Sequence, residues 1–297
     1  MIAGIEETMN RVRQIVNANK CHALGIRGKG CCIAILDSGI SYHPDFGNRI
    51  RGWYDVINGR NTPYDDNGHG THVAGIAAGN GMLSRGTYCG MAPEAGIVSV
   101  KILDENGEGM IPHMISGINW VIKNRLRFGI DIVNLSVGAS DYERFNEQST
   151  LVKKVDELWD MGIVVVASAG NMGPKPYSIS APGNSRKIIT VGYYSRHSNS
   201  NSSVGPTSLC IKKPDVVTPG YQITSCHYRF ARQSAYVKKS GTSMATPIVS
   251  GGIALLLSKH PHLTPKEVKI RLKNSCTDLM LPHGSQGWGL LNVKELI

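Results

Sequence analysis

Three short segments supply a carboxylate, an imidazole and a hydroxyl. Asp37 closes Ile35-Leu36-Asp37-Ser38-Gly39, His69 stands in Asn67-Gly68-His69-Gly70-Thr71-His72, and Ser243 stands in Ser240-Gly241-Thr242-Ser243-Met244-Ala245-Thr246-Pro247. A serine hydroxyl is a poor nucleophile until an imidazole takes its proton and a carboxylate holds that imidazole in one tautomer. Brought together, such groups support acyl transfer through a covalent intermediate. Singly, each has a plainer use: an aspartate after an apolar run forms turns, and a serine ahead of a helix caps it. His72 sits one turn deeper in the same helical pattern as His69 and reads as a hydrogen-bonded structural residue. A metal site built on these two histidines lacks the glutamate of an H-E-x-x-H pair.

The elements that must position these groups follow from periodicity. Apolar runs at 32–36, 97–102, 132–135, 163–167 and 188–191 predict buried strands. Helical spacing predicts helices over 70–78, 113–124, 151–161, 244–258 and 265–274. Thr264, Pro265 and Glu267 give the last of these a cap, a first-turn proline and a capping-box glutamate. Pro247 falls in the expected first turn of the helix that Ser243 precedes, where a missing amide proton matters little. Alternating strands and helices imply parallel strands joined by crossovers, hence an α/β fold: a three-layer sandwich with a mainly parallel central sheet. Ligands of such sheets bind beyond the carboxyl ends of the strands. Asp37, residues 136–138 and residues 168–171 all fall there, and the start of the 244–258 helix favours negative charge.

Bulk composition narrows the partners. The 297 residues, 41% hydrophobic, suit one domain over 20–297 after a short helical extension at 1–19, which carries Glu6, Glu7, Arg11 and Arg13 in an amphipathic pattern. The formal net charge is +10, but the densest basic groups are pairs such as Lys153-Lys154 and Lys212-Lys213, so no nucleic-acid partner is expected. Residues 1–19 lack the apolar core of a secretory signal, and no apolar run approaches the ~20 residues of a membrane span. A cytoplasmic location without membrane attachment is expected. Seven cysteines without a C-x-x-C pair predict free, buried thiols in a reducing compartment rather than zinc ligands.

The segments Asp37-Ser38-Gly39, His69-Gly70-Thr71-His72-Val73-Ala74-Gly75 and Gly241-Thr242-Ser243-Met244-Ala245-Thr246-Pro247 resemble, in this order, the three active-site signatures of subtilisin-like serine proteases. Similarity runs from about 28 to 293 and takes in Met91-Ala92-Pro93-Glu94-Ala95 and 213–220; intracellular bacterial alkaline proteases resemble the chain most. The resemblance implies a serine endopeptidase with Ser243 as nucleophile, His69 as general base and later acid, and Asp37 as orienting carboxylate. It implies that the Asn171 side-chain amide and the Ser243 backbone N–H face the oxyanion. Peptide would add as a strand between 107–110, with Gly107 and Gly109, and Leu135, Ser136, Val137 and Gly138. The main specificity pocket would be walled by 136–138 and by Ser168, Ala169 and Gly170, with Ser180 near its base. No charge stands there, so an uncharged or hydrophobic residue before the scissile bond is expected. Asp104, Glu105 and Glu108 flank the other edge and would favour basic residues farther upstream.

Two departures from the family pattern bear on cofactors and partners. Only 36 residues precede Asp37, too few for the usual cleavable prodomain, so a mature form or independent folding is expected. Residues 79–87 do not resemble the calcium loop that follows the histidine helix in secreted relatives. No cofactor and no metal ligand are therefore expected, and structural calcium is unsupported by that loop. Peptide or protein substrates are the expected partners, with a prodomain or inhibitor as the further class, and the chain is expected to be a monomer. Two alternatives stand beside this reading. An α/β-hydrolase esterase would need G-x-S-x-G where the chain has Gly-Thr-Ser-Met-Ala, and a non-catalytic, protease-like binding protein would keep the fold without turnover.

Overall fold

Seven strands form one sheet in the computed structural model, which describes residues 8–138, 146–195 and 200–297. They are β1 (Cys32–Asp37), β2 (Ile50–Asp55), β3 (Gly96–Lys101), β4 (Ile132–Leu135), β5 (Val164–Ser168), β6 (Ile189–Tyr194) and β7 (Val216–Pro219). Their spatial order is β2-β3-β1-β4-β5-β6-β7, with every neighbouring pair parallel. The chain builds outward from β1 in both directions, so the carboxyl end of β1, which carries Asp37, lies at the topological switch point where such sheets bind ligands. A two-stranded antiparallel hairpin, β8 (Ile223–Cys226) and β9 (Tyr236–Lys239), stands apart from the sheet.

Side chains along a strand alternate between faces, and β1 divides accordingly. Ile33 and Ile35 pack with Val73, Ile76, Ile248 and Ile253 of α3 (His69–Ala78) and α6 (Thr242–Lys259). Ala34 and Leu36 pack with Met114, Ile118 and Leu151 of α4 (Ile111–Phe128) and α5 (Thr150–Asp160) on the opposite face. The result is the three-layer α/β sandwich expected from the alternation of elements. Helix α7 (Pro265–Ser275) starts with the predicted capping box at Thr264 and Glu267. Two short helices, His283–Gln286 and Val293–Leu296, complete the carboxyl end.

The expected extension at 1–19 is described only from Thr8, so Glu6 and Glu7 lie outside the described residues. From α1 (Met9–Ile15) and α2 (Ala18–Ala23) the buried Met9, Val12, Val16 and Ala18 enter the same core cluster as Ile33. Strands β2, β7, β8 and β9 were not legible as apolar runs. β2 is a sheet edge with only Asp55 buried, and the other three have four residues each. Two expectations fail. Pro247 lies inside α6 rather than in its first turn, because the helix begins at Thr242. Of the seven cysteines, Cys210 is exposed and Cys276 half-buried; the other five are buried as expected.

Candidate active site

Asp37, His69 and Ser243 come from β1, α3 and α6, and the sequence lets these elements approach unusually closely. A β-carbon on Gly70 would strike the Gly39 carbonyl and stand 3.2 Å from Asp37 Cβ, so only glycine lets the start of α3 lie against the end of β1. His69 Nδ1 lies 2.7 Å from Asp37 Oδ1. A carboxylate only accepts, so Nδ1 carries the proton and Nε2 keeps its lone pair. Asp37 Oδ1 also accepts the Ser38 N–H at 2.7 Å, while Oδ2 is buried without a hydrogen-bond partner.

A neighbouring carboxylate that the sequence did not single out fixes the same turn. Asp65 accepts from Ser38 Oγ, the N–H groups of Asn67, Gly68 and Thr71, and Thr71 Oγ1, at 2.6 to 3.2 Å. Ser38 Oγ in turn accepts the Gly70 N–H at 2.9 Å. The Asp-Asp-Asn-Gly run before His69 carried the signal, since short polar side chains bond backbone a few residues on. Lys101, paired in register with Asp37 on the adjacent strand, was missed too. Its buried ammonium donates to the Ser38 and Leu103 carbonyls and to Asp66.

Ser243 lies in the first turn of α6, where amide N–H groups have no intrahelical acceptor. Pro247 has no N–H to offer the Ser243 carbonyl, and Ser136 Oγ donates to that carbonyl instead, at 3.0 Å. The Ser243 hydroxyl donates to the Ser136 carbonyl at 2.9 Å, so the two serines are tied reciprocally and Ser243 Oγ is turned toward β4. Beneath them Asn134 Nδ2 donates to Ser136 Oγ, and Ser250 Oγ donates to Asn134 Oδ1. Asn171 Oδ1 accepts from the Thr242 N–H and hydroxyl, at 3.0 and 3.2 Å. That leaves its amide nitrogen as the donor end, beside the start of α6.

His69 and Ser243 line one cleft of about 980 Å³, together with Asn67, Asp104, Gly107 to Met110 and Ser136 to Gly138. Residues of both segments expected to flank substrate therefore line the cleft, except Leu135, which is buried and does not reach it. The expected pocket residues also converge: β-carbons on Gly138 and Gly170 would stand 3.0 and 2.6 Å from Ser180 Oγ. Ser180 N–H donates to the Ala169 carbonyl, and Ser168 Oγ to the Val137 carbonyl. Ser203 is an addition, since its hydroxyl also faces Gly170 and its N–H donates to the Gly170 carbonyl at 2.8 Å. His72 is structural as expected: its Nε2 donates to the Ile223 and Val237 carbonyls, and burial holds its pKa down to about 3.

Residues 28–289 match the subtilase family, peptidase S8. The chain belongs to the subtilase family. Serine protease AprX of Bacillus subtilis (strain 168) is 42% identical over 272 residues, 84% of this chain, which spans 62% of that relative's length. Subtilisin BL of Lederbergia lenta is 36% identical over 283 residues, covering 94% of this chain and 95% of its own. The crystal structure of a cold adapted subtilisin-like serine proteinase superimposes with a TM-score of 0.75 at 30% identity, covering 90% of each chain. The seven-stranded sheet of this subtilase is thus the fold of a subtilisin-like proteinase.

Among the described residues one group, His43, Asp45 and Cys226, stands close enough to share an ion. Its ligand atoms are engaged within the protein: His43 Nε2 donates to the Ala235 carbonyl and Nδ1 accepts the Asp45 N–H, while Asp45 accepts from the Leu83 N–H and Tyr236 hydroxyl. In the loop that follows α3, the Arg13 guanidinium donates to the Cys89 and Gly86 carbonyls. A buried guanidinium on those carbonyls does not fit a cation beside it. Among the described residues no helix is long and apolar enough to cross a membrane.

Proposed function

We propose that this chain is a serine endopeptidase that cleaves peptide and protein substrates through an acyl-enzyme. The observation that carries the reading is the 2.7 Å contact between His69 Nδ1 and Asp37 Oδ1, which leaves Nε2 basic in a cleft that Ser243 also lines. Ser243 Oγ leaves the Ser136 carbonyl and attacks the substrate carbonyl carbon as its proton passes to His69 Nε2. The oxyanion that forms is met by the Ser243 N–H and Asn171 Nδ2, and the amino end of α6 adds its dipole. His69 then protonates the leaving nitrogen, the C–N bond breaks, and water repeats the sequence in reverse to free the acid and Ser243. Asp37 stays ionised throughout and faces the imidazolium that forms twice per turnover.

Extended substrate would pair between residues 107–110 and 135–138, with an uncharged or hydrophobic residue before the scissile bond. Ser136, Gly138, Ser168, Ala169, Gly170 and Ser180 carry no charge, which supports that preference. The exposed Glu105 and Glu108 support a secondary preference for basic residues farther upstream. Catalysis in this reading uses no metal, and the Arg13 guanidinium does in the loop after α3 what a cation would do. One peptidase unit, whose core also takes in Met9, Val12, Val16 and Ala18 of the expected 1–19 extension, in a reducing, cytoplasmic compartment suits a single sheet with cores on both faces and seven free thiols.

The test pairs fluorophosphonate labelling with casein hydrolysis. Labelling that is lost in both Ser243→Ala and His69→Ala, and hydrolysis lost in Ser243→Ala, is the expected result. A folded wild-type protein that shows neither would overturn the reading in favour of a non-catalytic one, and labelling with ester but no peptide turnover would favour an esterase. A peptide-library profile dominated by acidic residues before the cut would overturn the proposed preferences.

A further inference from the structure

Hairpin β8–β9 reaches both ends of the reacting pair, yet the steps above leave it without a role. Its second strand runs through Ser240 and Gly241 directly into Ser243. Its tip, residues 227–235, returns to the other member: a β-carbon built on Gly68, the residue before His69, would stand 2.8 Å from Cε1 of the Tyr228 ring. The tip is anchored. The Phe230 ring meets the buried His43 ring edge-on at 5.0 Å, and His227 donates from Nδ1 to the Ser234 carbonyl and from its N–H to the Ala235 carbonyl. The Arg229 guanidinium lies over the Tyr228 ring, 4.9 Å from its centre, which holds the charge in place without neutralising it.

Charge and shape at this tip point to a ligand. Tyr228, Arg229, Phe230, Ala231 and Arg232 line a concavity of about 340 Å³. Residues 227–241 include Arg229, Arg232, Lys238 and Lys239 and no aspartate or glutamate. None of 227–241 lines the main cleft, which takes in Leu103, Asp104, residues 106–110 and 136–138, with Asp104 and Glu108 at its edge. The basic tip, beside Gly68 and on the hairpin whose second strand leads into Ser243, is therefore separate from the acidic edge of the cleft. A peptide whose acyl half fills that cleft must carry its leaving-group half beyond it, and outside the cleft the hairpin adjoins both Gly68 and Ser243. At ~3.3 Å per residue the peptide's first three residues beyond the cut span about 10 Å.

We propose that the tip of hairpin β8–β9 is the subsite for the leaving-group half of the substrate, and that Arg229 and Arg232 there select an acidic side chain within the first three residues after the scissile bond. The proposal rests on the endopeptidase reading given above. A guanidinium offers a carboxylate two parallel N–H donors, which a lysine cannot. The site is solvent-facing, so each arginine contributes a modest, salt-sensitive preference rather than tight binding.

The experiment compares quenched fluorescent peptides that share one acyl half and differ only after the cut, carrying Asp, Gln or Lys at the three positions, with cleavage at the shared bond verified by mass. For the wild-type protein kcat/KM should fall in the order Asp, Gln, Lys, with Asp over Lys by roughly tenfold or more at low salt. The double variant Arg229→Gln/Arg232→Gln should bring that ratio close to one, and Arg229→Glu/Arg232→Glu should invert it. A ratio measured within one preparation does not depend on the folded fraction, so a poorly folding variant still reports. A flat ratio in the wild type, or a ratio that both double variants leave unchanged, overturns the subsite while the endopeptidase reading stands. Cleavage of no peptide together with no fluorophosphonate labelling overturns the endopeptidase reading itself.

Discussion

Asp37 and Asp65 are two buried carboxylates at one corner of the sheet, both in contact with Ser38, and they are bonded in opposite ways. Asp65 fills its acceptor sites with five donors from the backbone and side chains of residues 38–71. Asp37 gives one oxygen to the Ser38 N–H and the His69 ring and keeps the other buried and bare. A buried, unsatisfied acceptor costs a protein about 1–3 kcal/mol. The difference separates two uses of the same side chain. A carboxylate whose acceptors are all filled holds a turn, whereas one with unfilled capacity keeps its field on the imidazole and gives up stability for it.

The largest effect should come from Asp37. Asp37→Asn should lower kcat by on the order of 10⁴-fold, because the amide no longer fixes the imidazole proton on Nδ1, while the melting temperature stays level or rises. A fall in both, measured by kinetics and calorimetry on one preparation, would erase the contrast with Asp65. Next comes Asn171→Leu, expected to reduce kcat roughly 100- to 1,000-fold with little change in KM, since its amide acts on charge that develops only in the transition state. A rise in KM alone would assign Asn171 to ground-state binding. Asp65→Asn should show the mirror image of Asp37→Asn: stability lower by about 2–4 kcal/mol in urea titrations, with kcat per labelled serine within a fewfold of wild type.

The contrast also marks where the sequence was legible. Asp37 could be read because it ends a fully apolar strand and joins His69 and Ser243 in a recognisable order; the buried strands and the five long helices were read from the same periodicities. Asp65 was harder to read: Asp-Asp-Asn-Gly signals a polar turn but not which carboxylate holds it, because the role of Asp65 lies in five bonds made once the turn has formed. Lys101 closes an apolar strand, and only the register with Asp37 reveals that its ammonium is enclosed. Pro247 was misplaced by the two residues that separate the predicted helix start from the observed one. That shift turns a harmless first-turn proline into the reason the Ser243 carbonyl is available to Ser136. The hairpin escaped because two strands of four residues each, β8 buried yet half polar and β9 half-exposed, leave no periodic signal.

A smaller effect distinguishes buried charge from buried neutrality. His72 is fully enclosed, and burial, aided by the charge of Lys239, holds its pKa down to about 3; burial holds His22 down to about 4. Unfolded histidine titrates near 6.5. Below that pH the unfolded chain therefore takes up protons that the folded chain refuses. Stability fully present above about 6.5 is lost as pH falls toward 4, by up to ~1.4 kcal/mol per pH unit for each histidine. Urea midpoints between pH 7 and 4 should show this, and His72→Gln should remove one proton from the slope. An unchanged slope would mean that His72 is protonated in the folded protein and that its bonds to Ile223 and Val237 are not those of a neutral ring.

The smallest effect belongs to the rim, where carboxylates face water. Glu108 is exposed beside the cleft, while Asp104 turns its carboxylate inward to the N–H groups of Asn106 and Glu108, the second of which is foremost in holding its pKa below the usual range. Of the two carboxylates that line the cleft edge at 103–110, Glu108 is thus the one available to a basic residue upstream of the cut. Exposed ion pairs are worth about 0.2–1 kcal/mol, so Glu108→Gln should reduce kcat/KM for a peptide with upstream lysine by roughly 1.5- to 5-fold and leave a neutral peptide alone. The difference should vanish near 1 M salt, where the Debye length is about 3 Å. Because Glu108 makes no contact with Asp37, His69 or Ser243, kcat should be unaltered at saturation. A loss that persists in high salt would mean that Glu108 acts by shaping residues 107–110, which would place it with Asp65 among the carboxylates that hold a turn.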